Sequence, residues 1–211
     1  GDLYTFHYLS AKLSGVSLFD VSGHGIASGL VTLLAHSIIA RRFTEGWNGK
    51  LHHAMEKINE DLVRDIGSID NYLTGVLIRF SGLDIEYVNA GHPDLLFRKG
   101  SSGKVKMVEP KDREFKGCFL GVPGMEHPFA TIVFRMERED AILLYSDGLN
   151  EGMNPSGVQF GVGRIMESFE KVSPHDSAHD ILSVIIDDFV NFVGGESFGD
   201  DLTVILVKRK K

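Results

Sequence analysis

The chain has 211 residues, 43% apolar and 24% charged, with 6 prolines and a net charge of −7. That composition excludes disorder and collagen-like order, and the length allows one globular domain with a buried core. The acidic balance argues against a duplex-binding surface, which needs Lys and Arg to neutralise phosphates.

The basic end Lys208-Arg209-Lys210-Lys211 reads as a solubilising strand end. The longest apolar stretch, Leu30 to Ala40, is interrupted by Thr32, His36 and Ser37 and falls short of the ~20 residues of a bilayer span, so no membrane helix is expected. No basic or apolar signal region opens the chain at Gly1-Asp2, and the single cysteine, Cys118, cannot close an internal disulfide. A reducing cytoplasm is therefore the expected location.

Residues 3 to 9 and 15 to 20 are β-prone and predict a hairpin that ends at Asp20. A glycine-rich turn follows. Apolar residues at 26, 30, 33/34 and 38 then predict a helix from Ile26 to about Glu45, closed by Gly46. The same spacing at Leu51, Met55, Ile58, Leu62 and Ile66 predicts a second helix ending at Gly67. Strands are expected at Leu73 to Phe80, Asp84 to Ala90 and Leu95 to Arg98, joined by turns into an antiparallel meander. Weaker strand signals lie at 104 to 108 and 130 to 135. The continuous apolar run Ala141 to Tyr145 has the character of a strand buried on both faces, delivering Ser146-Asp147-Gly148. Ser173-Pro174 is read as the cap and first residue of a helix with a stripe at Ala178, Ile181/Leu182, Ile185, Phe189 and Phe192, and Leu202 to Val207 as a last strand.

No repeat or low-complexity linker interrupts this order, so one domain over 1–211 is expected. Strands, two helices, strands, helix, strand is an α+β order, most easily built as antiparallel sheets with helices packed outside. The absence of alternating βα units counts against a doubly wound parallel fold.

The informative pattern is a set of aspartates at strand ends beside glycines: Gly1-Asp2, Asp20 before Gly23, Asp147-Gly148 and Gly199-Asp200-Asp201. Singly, each reads as an Asx-turn or cap. Together, carboxylates gathered on one rim of a sheet repel and are costly to bury unless cations hold them. Oxygen-only ligation selects hard ions, Mg²⁺ or Mn²⁺, over zinc. The loop Asp20-Val-Ser-Gly23-His-Gly25-Ile-Ala-Ser-Gly29 has the wrong glycine spacing for a dinucleotide fingerprint, and its aspartate would oppose a bare pyrophosphate. It reads instead as a metal turn.

Asp20-Val-Ser-Gly-His-Gly25, Asn89-Ala-Gly-His-Pro93, Leu120-Gly-Val, Tyr145-Ser-Asp-Gly148 and Asp200-Asp-Leu-Thr-Val204 resemble, in order and over nearly the whole chain, the motifs of the PPM-type metal-dependent protein phosphatases, in the bacterial SpoIIE/RsbU-like branch. The resemblance implies a β-sandwich of two antiparallel sheets flanked by helices, with a two-metal centre that hydrolyses phosphoserine or phosphothreonine in proteins. Carried over by residue, Asp20 bridges both metals and the Val21 carbonyl binds one. Asp147 and Asp200 hold the other, and Asp2 lies in the immediate or next layer of ligands. Asp20 and Asp147 thereby serve catalysis. In such a centre a water between ions ~3.5–4 Å apart is acidified and stands in line with phosphorus.

Thr5 stands where the family commonly has a second aspartate, and His92 where eukaryotic relatives carry one that helps bind a third ion, so no third site is expected. A chain opening at this motif resembles an excised fragment of a longer regulatory protein. The implied substrate is a phosphorylated bacterial regulator such as a STAS-type anti-anti-sigma factor, with no nucleic-acid or membrane partner.

His24 has two readings: an acid that protonates the leaving serine oxygen, or a ring hydrogen-bonded to loop backbone. His175 and His179 are four apart but lack a third zinc ligand nearby, and adjacent His52 and His53 point to different sides of a helix. Asn89 and His92 are read as turn residues, Cys118 as inert, and Phe129, Phe134, Phe160, Phe169, Phe189 and Phe192 as core. Two functions remain from different classes: a Mg²⁺/Mn²⁺-dependent protein serine/threonine phosphatase, and a catalytically silent phosphatase-shaped module that binds a signalling partner.

Overall fold

The computed structural model describes residues 1–23, 25–67, 71–110, 118–125, 128–194 and 199–210. They gather into two compact units, Gly1–His92 with Glu109–Arg135, and Pro93–Val108 with Met136–Lys211.

The first unit opens with the hairpin β1 (Asp2–Leu9) and β2 (Lys12–Val21). After the helices α1 (Ile26–Glu45) and α2 (Leu51–Ile66) come β3 (Leu73–Ser81) and β4 (Asp84–Ala90), and later β7 (Ile132–Arg135). These strands form one antiparallel sheet in the order β1-β2-β3-β4-β7. Side chains alternate across a strand, so Phe19 and Val21, Leu73 and Leu77, and Val88 and Ala90 share one face, and both helices pack on it. From α2 come Leu51, Met55, Ile58, Leu62 and Ile66, the stripe expected from their spacing.

α1 meets the same core through Val31, Ala35, Ile38, Ile39 and Phe43. This corrects the expected stripe: Ile26, Leu30 and Leu33 are exposed at 87%, 63% and 70%. The helix is apolar on more than one face, so several 3.6-residue stripes fit its sequence, and packing on α2 and the sheet selects one. A second correction follows. Thr32, His36 and Ser37 do not interrupt α1, which at 20 residues is long and apolar enough to cross a membrane by length and composition. A third of that apolar window is nevertheless buried within the protein.

Asp61 of α2 ties the two helices. Its buried carboxylate takes Arg42 Nε at 2.6 Å and Nη2 at 3.0 Å, Arg41 Nη2 at 2.8 Å and Arg64 Nη1 at 2.8 Å. Hydrogen bonds from Arg42 foremost hold this carboxyl well below the usual carboxylate range.

The second unit contains β5 (Leu96–Arg98), β6 (Val105–Met107), β8 (Ala141–Tyr145) and β9 (Val204–Lys208) in an antiparallel sheet ordered β6-β5-β8-β9. The expected meander is therefore corrected: β5 pairs with β6 and β8, and the strand beside β4 is β7. The chain turns at Gly91, whose φ of 68° lies in the left-handed region, and β5 pairs with the distant β8.

β8 is buried along its whole length, as its apolar run implied. Short α3 (Asp147–Glu151) follows it, then α4 (Gly161–Lys171) and α5 (Ala178–Val193). Leu143, Tyr145, Phe160, Phe169, Ile185 and Phe189 form the centre of this core. The cap of α5 is also corrected. It is Ser177, whose hydroxyl accepts from Asp180 N while the Asp180 carboxylate accepts from Ser177 N, a reciprocal capping box. Ser173 belongs to a preceding turn closed by Asp176.

Candidate metal centre

In the first unit, register places Asp2 on β1 directly opposite Asp20 on β2. Two like charges in that relation destabilise a strand pair, and Asp2 Oδ2 is buried. Val21 N donates to the Gly1 carbonyl at 3.1 Å, which holds the two strand ends in register. Opposed carboxylates beside the Val21 carbonyl are a donor set suited to a hard cation.

Beyond Val21 the chain is fastened to the start of β3: Ser22 N donates to the Tyr72 carbonyl at 2.9 Å, and Tyr72 N to Ser22 Oγ at 2.9 Å. Gly23 and Gly25, at φ 82° and 88°, then swing the backbone into α1 through conformations that L side chains rarely adopt. His24 lies outside the described residues.

Asn89 and His92 form a clasp. Asn89 Oδ1 accepts from His92 N at 2.8 Å, and Asn89 Nδ2 donates to the His92 carbonyl at 2.9 Å and to Tyr87 Oη at 2.8 Å. His92 Nδ1 is 2.9 Å from Thr74 Oγ1, and Thr74 pairs in register with Asp20. The turn expected at 91–93 thus also holds an imidazole above the strand position next to Asp20. Nothing in the spacing of Thr74 signalled that link.

In the second unit, Asp147 is the first residue of α3, directly after β8. Ser146 locks this corner to the segment before β9. Its N donates to the Thr203 carbonyl at 3.0 Å, and its Oγ accepts from Thr203 N at 3.0 Å and donates to the Asp201 carbonyl at 3.3 Å. A Cβ at position 148 would stand 2.2 Å from the Asp201 carbonyl oxygen, so only glycine lets the two segments close. As a result Asp147 and Asp200 line one cleft of about 390 Å³. Asp200 Oδ1 accepts from Asp201 N at 2.8 Å, while Asp201 contributes its carbonyl to the corner. Ser146 and Gly148 are the positioning residues that sequence reasoning treated only as flanks of Asp147.

Among the described residues no group of three or more His, Cys, Asp or Glu side chains forms a ready-made ion-holding cluster. The expected ligands occur as Asp2 with Asp20 and Val21 in one unit, and as Asp147 with Asp200 in the other. His175 and His179 are exposed. His52 engages Thr131 Oγ1 at 2.9 Å, and its ring meets that of His53 edge-on.

The family model described as stage II sporulation protein E (SpoIIE) matches residues 11–210. Phosphoserine phosphatase RsbP of Bacillus subtilis (strain 168) is 26% identical over 159 residues, which is 71% of this chain and 36% of that protein. The chain therefore spans about a third of that relative's length. Among solved structures, the SiaA-PP2C domain of Pseudomonas aeruginosa superposes with a TM-score of 0.81 at 14% identity, covering 99% of this chain and 80% of the other. The catalytic domain of the serine/threonine protein phosphatase PstP, in complex with 2 manganese ions, gives 0.61 at 16% identity, covering 97% and 89%. The fold is that of the PP2C phosphatase domains.

Proposed function

Given that the chain belongs to the stage II sporulation protein E family, we propose that it is a metal-dependent protein serine/threonine phosphatase acting on phosphoserine or phosphothreonine. The observation that carries the reading is the convergence of Asp147 and Asp200 on one cleft, enforced by Ser146 and Gly148. Acids more than fifty positions apart are held together there by a corner with no room for a side chain at 148.

Asp20, the Val21 carbonyl and Asp2 would hold one Mn²⁺ or Mg²⁺ ion, and Asp147 with Asp200 a second. Bound ions of this kind acidify water and neutralise charge on a transferring phosphoryl group. The chain's own residues do the rest. The Ser146 hydroxyl and the Asn89–His92 clasp fix backbone around the acids, and Asp201 N orients the Asp200 carboxylate. The manganese-bound PstP structure supports the choice of ion, and the name of RsbP supports phosphoserine as substrate. The finer reading places the chain in the bacterial cytoplasm as part of a longer regulatory protein, acting on a phosphorylated regulator such as a STAS-type anti-anti-sigma factor.

The test is Mn²⁺-dependent hydrolysis of an aryl phosphate and of a phosphoprotein, with Asp20→Asn and Asp147→Asn as controls. Activity abolished by EDTA and reduced at least a hundredfold by each substitution is expected. Turnover indifferent to EDTA or to both substitutions rejects the mechanism, and a folded protein that binds a partner without turnover is the silent module.

A further inference from the structure

The cleft that holds Asp147 and Asp200 has a wall that the proposed chemistry leaves unused. One helical turn along α3 from Asp147, and therefore on the same face of the helix, Glu151 lines the cleft. Its carboxylate is in no ion pair or hydrogen bond among the described residues. Among the described residues that line the cleft, Glu151 is the one charged side chain apart from Asp147 and Asp200. Beside it the lining is apolar: Met153, 57% exposed and fixed by a β-bridge between its residue and Gln159, with Phe189 and Val193 beneath. Asn154 offers a cation little, because its Oδ1 already accepts from Ser156 N at 3.0 Å and Val158 N at 2.9 Å.

An apolar wall that ends at a lone carboxylate matches a side chain with a hydrocarbon stem and a cationic head. A purely apolar occupant would strip water from Glu151 without replacing its hydrogen bonds, and an acidic one would meet a like charge. Resting on the phosphatase reading above, we propose that Glu151, Met153 and Val193 form a subsite for a Lys or Arg of the phosphoprotein substrate. The stem lies on Met153 and Val193, and the head pairs with Glu151. One helical turn separates Glu151 from Asp147 by ~6 Å, and an extended peptide advances ~3.3 Å per residue. The basic residue therefore sits about two positions from the phosphoserine.

The experiment compares phosphoserine peptides that carry Lys, Ala or Glu two residues to either side of the phosphoserine. It measures kcat/KM with Mn²⁺, and also fluorescence anisotropy with the matching phosphonate peptides, which report binding without turnover. The readout is the Lys-to-Glu preference ratio, which cancels any general change in activity. Wild type is expected to favour Lys. Glu151→Gln should reduce the ratio roughly two- to fivefold, the scale of an exposed ion pair, and Glu151→Lys should invert it. The same ratio in wild type and both variants overturns the subsite. Turnover without discrimination also overturns it while the phosphatase reading stands. Discrimination in binding without turnover upholds the subsite and overturns that reading. No binding and no turnover with any peptide overturns both.

Discussion

Asp2 and Asp20 face each other across the β1–β2 pair, two carboxylates at a cross-strand position where a favourable pair would ordinarily stabilise the sheet. The arrangement costs stability when empty and lends affinity for a cation, so the two effects separate by experiment. In EDTA, Asp2→Asn should raise the melting temperature by about 1–3 °C, from relief of roughly 0.2–1 kcal/mol of repulsion. With saturating Mn²⁺ the wild type should gain more than the variant, because only binding to the native state stabilises it. Differential scanning fluorimetry across a Mn²⁺ titration measures both signs.

Gly148→Ala forces a carbon against the Asp201 carbonyl, a backbone atom that cannot swing aside. We expect a loss of about 1–3 kcal/mol in urea unfolding, together with a fall in metal-dependent activity as the corner opens. Gly163→Ala is the contrast. A Cβ there meets nothing within 4 Å, and the exchange inside α4 should be neutral or stabilising by up to ~1 kcal/mol.

His7 is buried on β1, its ring stacked on Phe43 with centroids 3.8 Å apart and its Nε2 3.0 Å from Ser17 Oγ. Burial foremost, then the charge of His36, pushes its pKa down from 6.5 to about 4. The native state thus keeps the ring neutral where the unfolded chain takes up a proton. Stability is complete above about pH 6.5 and falls as the pH drops from there toward 4, by up to ~3 kcal/mol. Denaturation midpoints in that window should flatten in His7→Gln, and an unchanged slope would show that another group carries it.

The two faces of α1 should respond oppositely to mutation. Ile39→Ala opens a cavity in the first unit's core and should cost about 2–4 kcal/mol. Leu33→Gln, on the exposed face, should stay within about 0.5 kcal/mol. Urea unfolding of the pair tests the burial pattern directly.

Most element boundaries were legible because periodicity and punctuation are local. Gly46 and Gly67 stop helices, and the run Ala141 to Tyr145 is too apolar to be anything but interior. What was not legible depends on partners remote in the chain. The stripe 26/30/33 fits a helix as well as 31/35/38, and only the sheet beneath decides between them. β5 looks like a third meander strand until β8 claims it. At Ser177 the capping box lay two short polar segments beyond an equally plausible Ser-Pro start. The acids stood out because Asp beside Gly recurs at strand ends. Ser146 and Thr74 did not, since a hydroxyl near a glycine reads as a turn until its bonding partners are known.

The Ser146 hydroxyl is spent in both directions, receiving the Thr203 backbone proton and giving its own to the Asp201 carbonyl, at a position with no solvent contact. Water cannot replace it there, and alanine would orphan a donor and an acceptor at once. Of the other side chains, only threonine carries a hydroxyl on the same carbon. The placing of the neighbouring aspartate thus rests on a residue with no surface of its own.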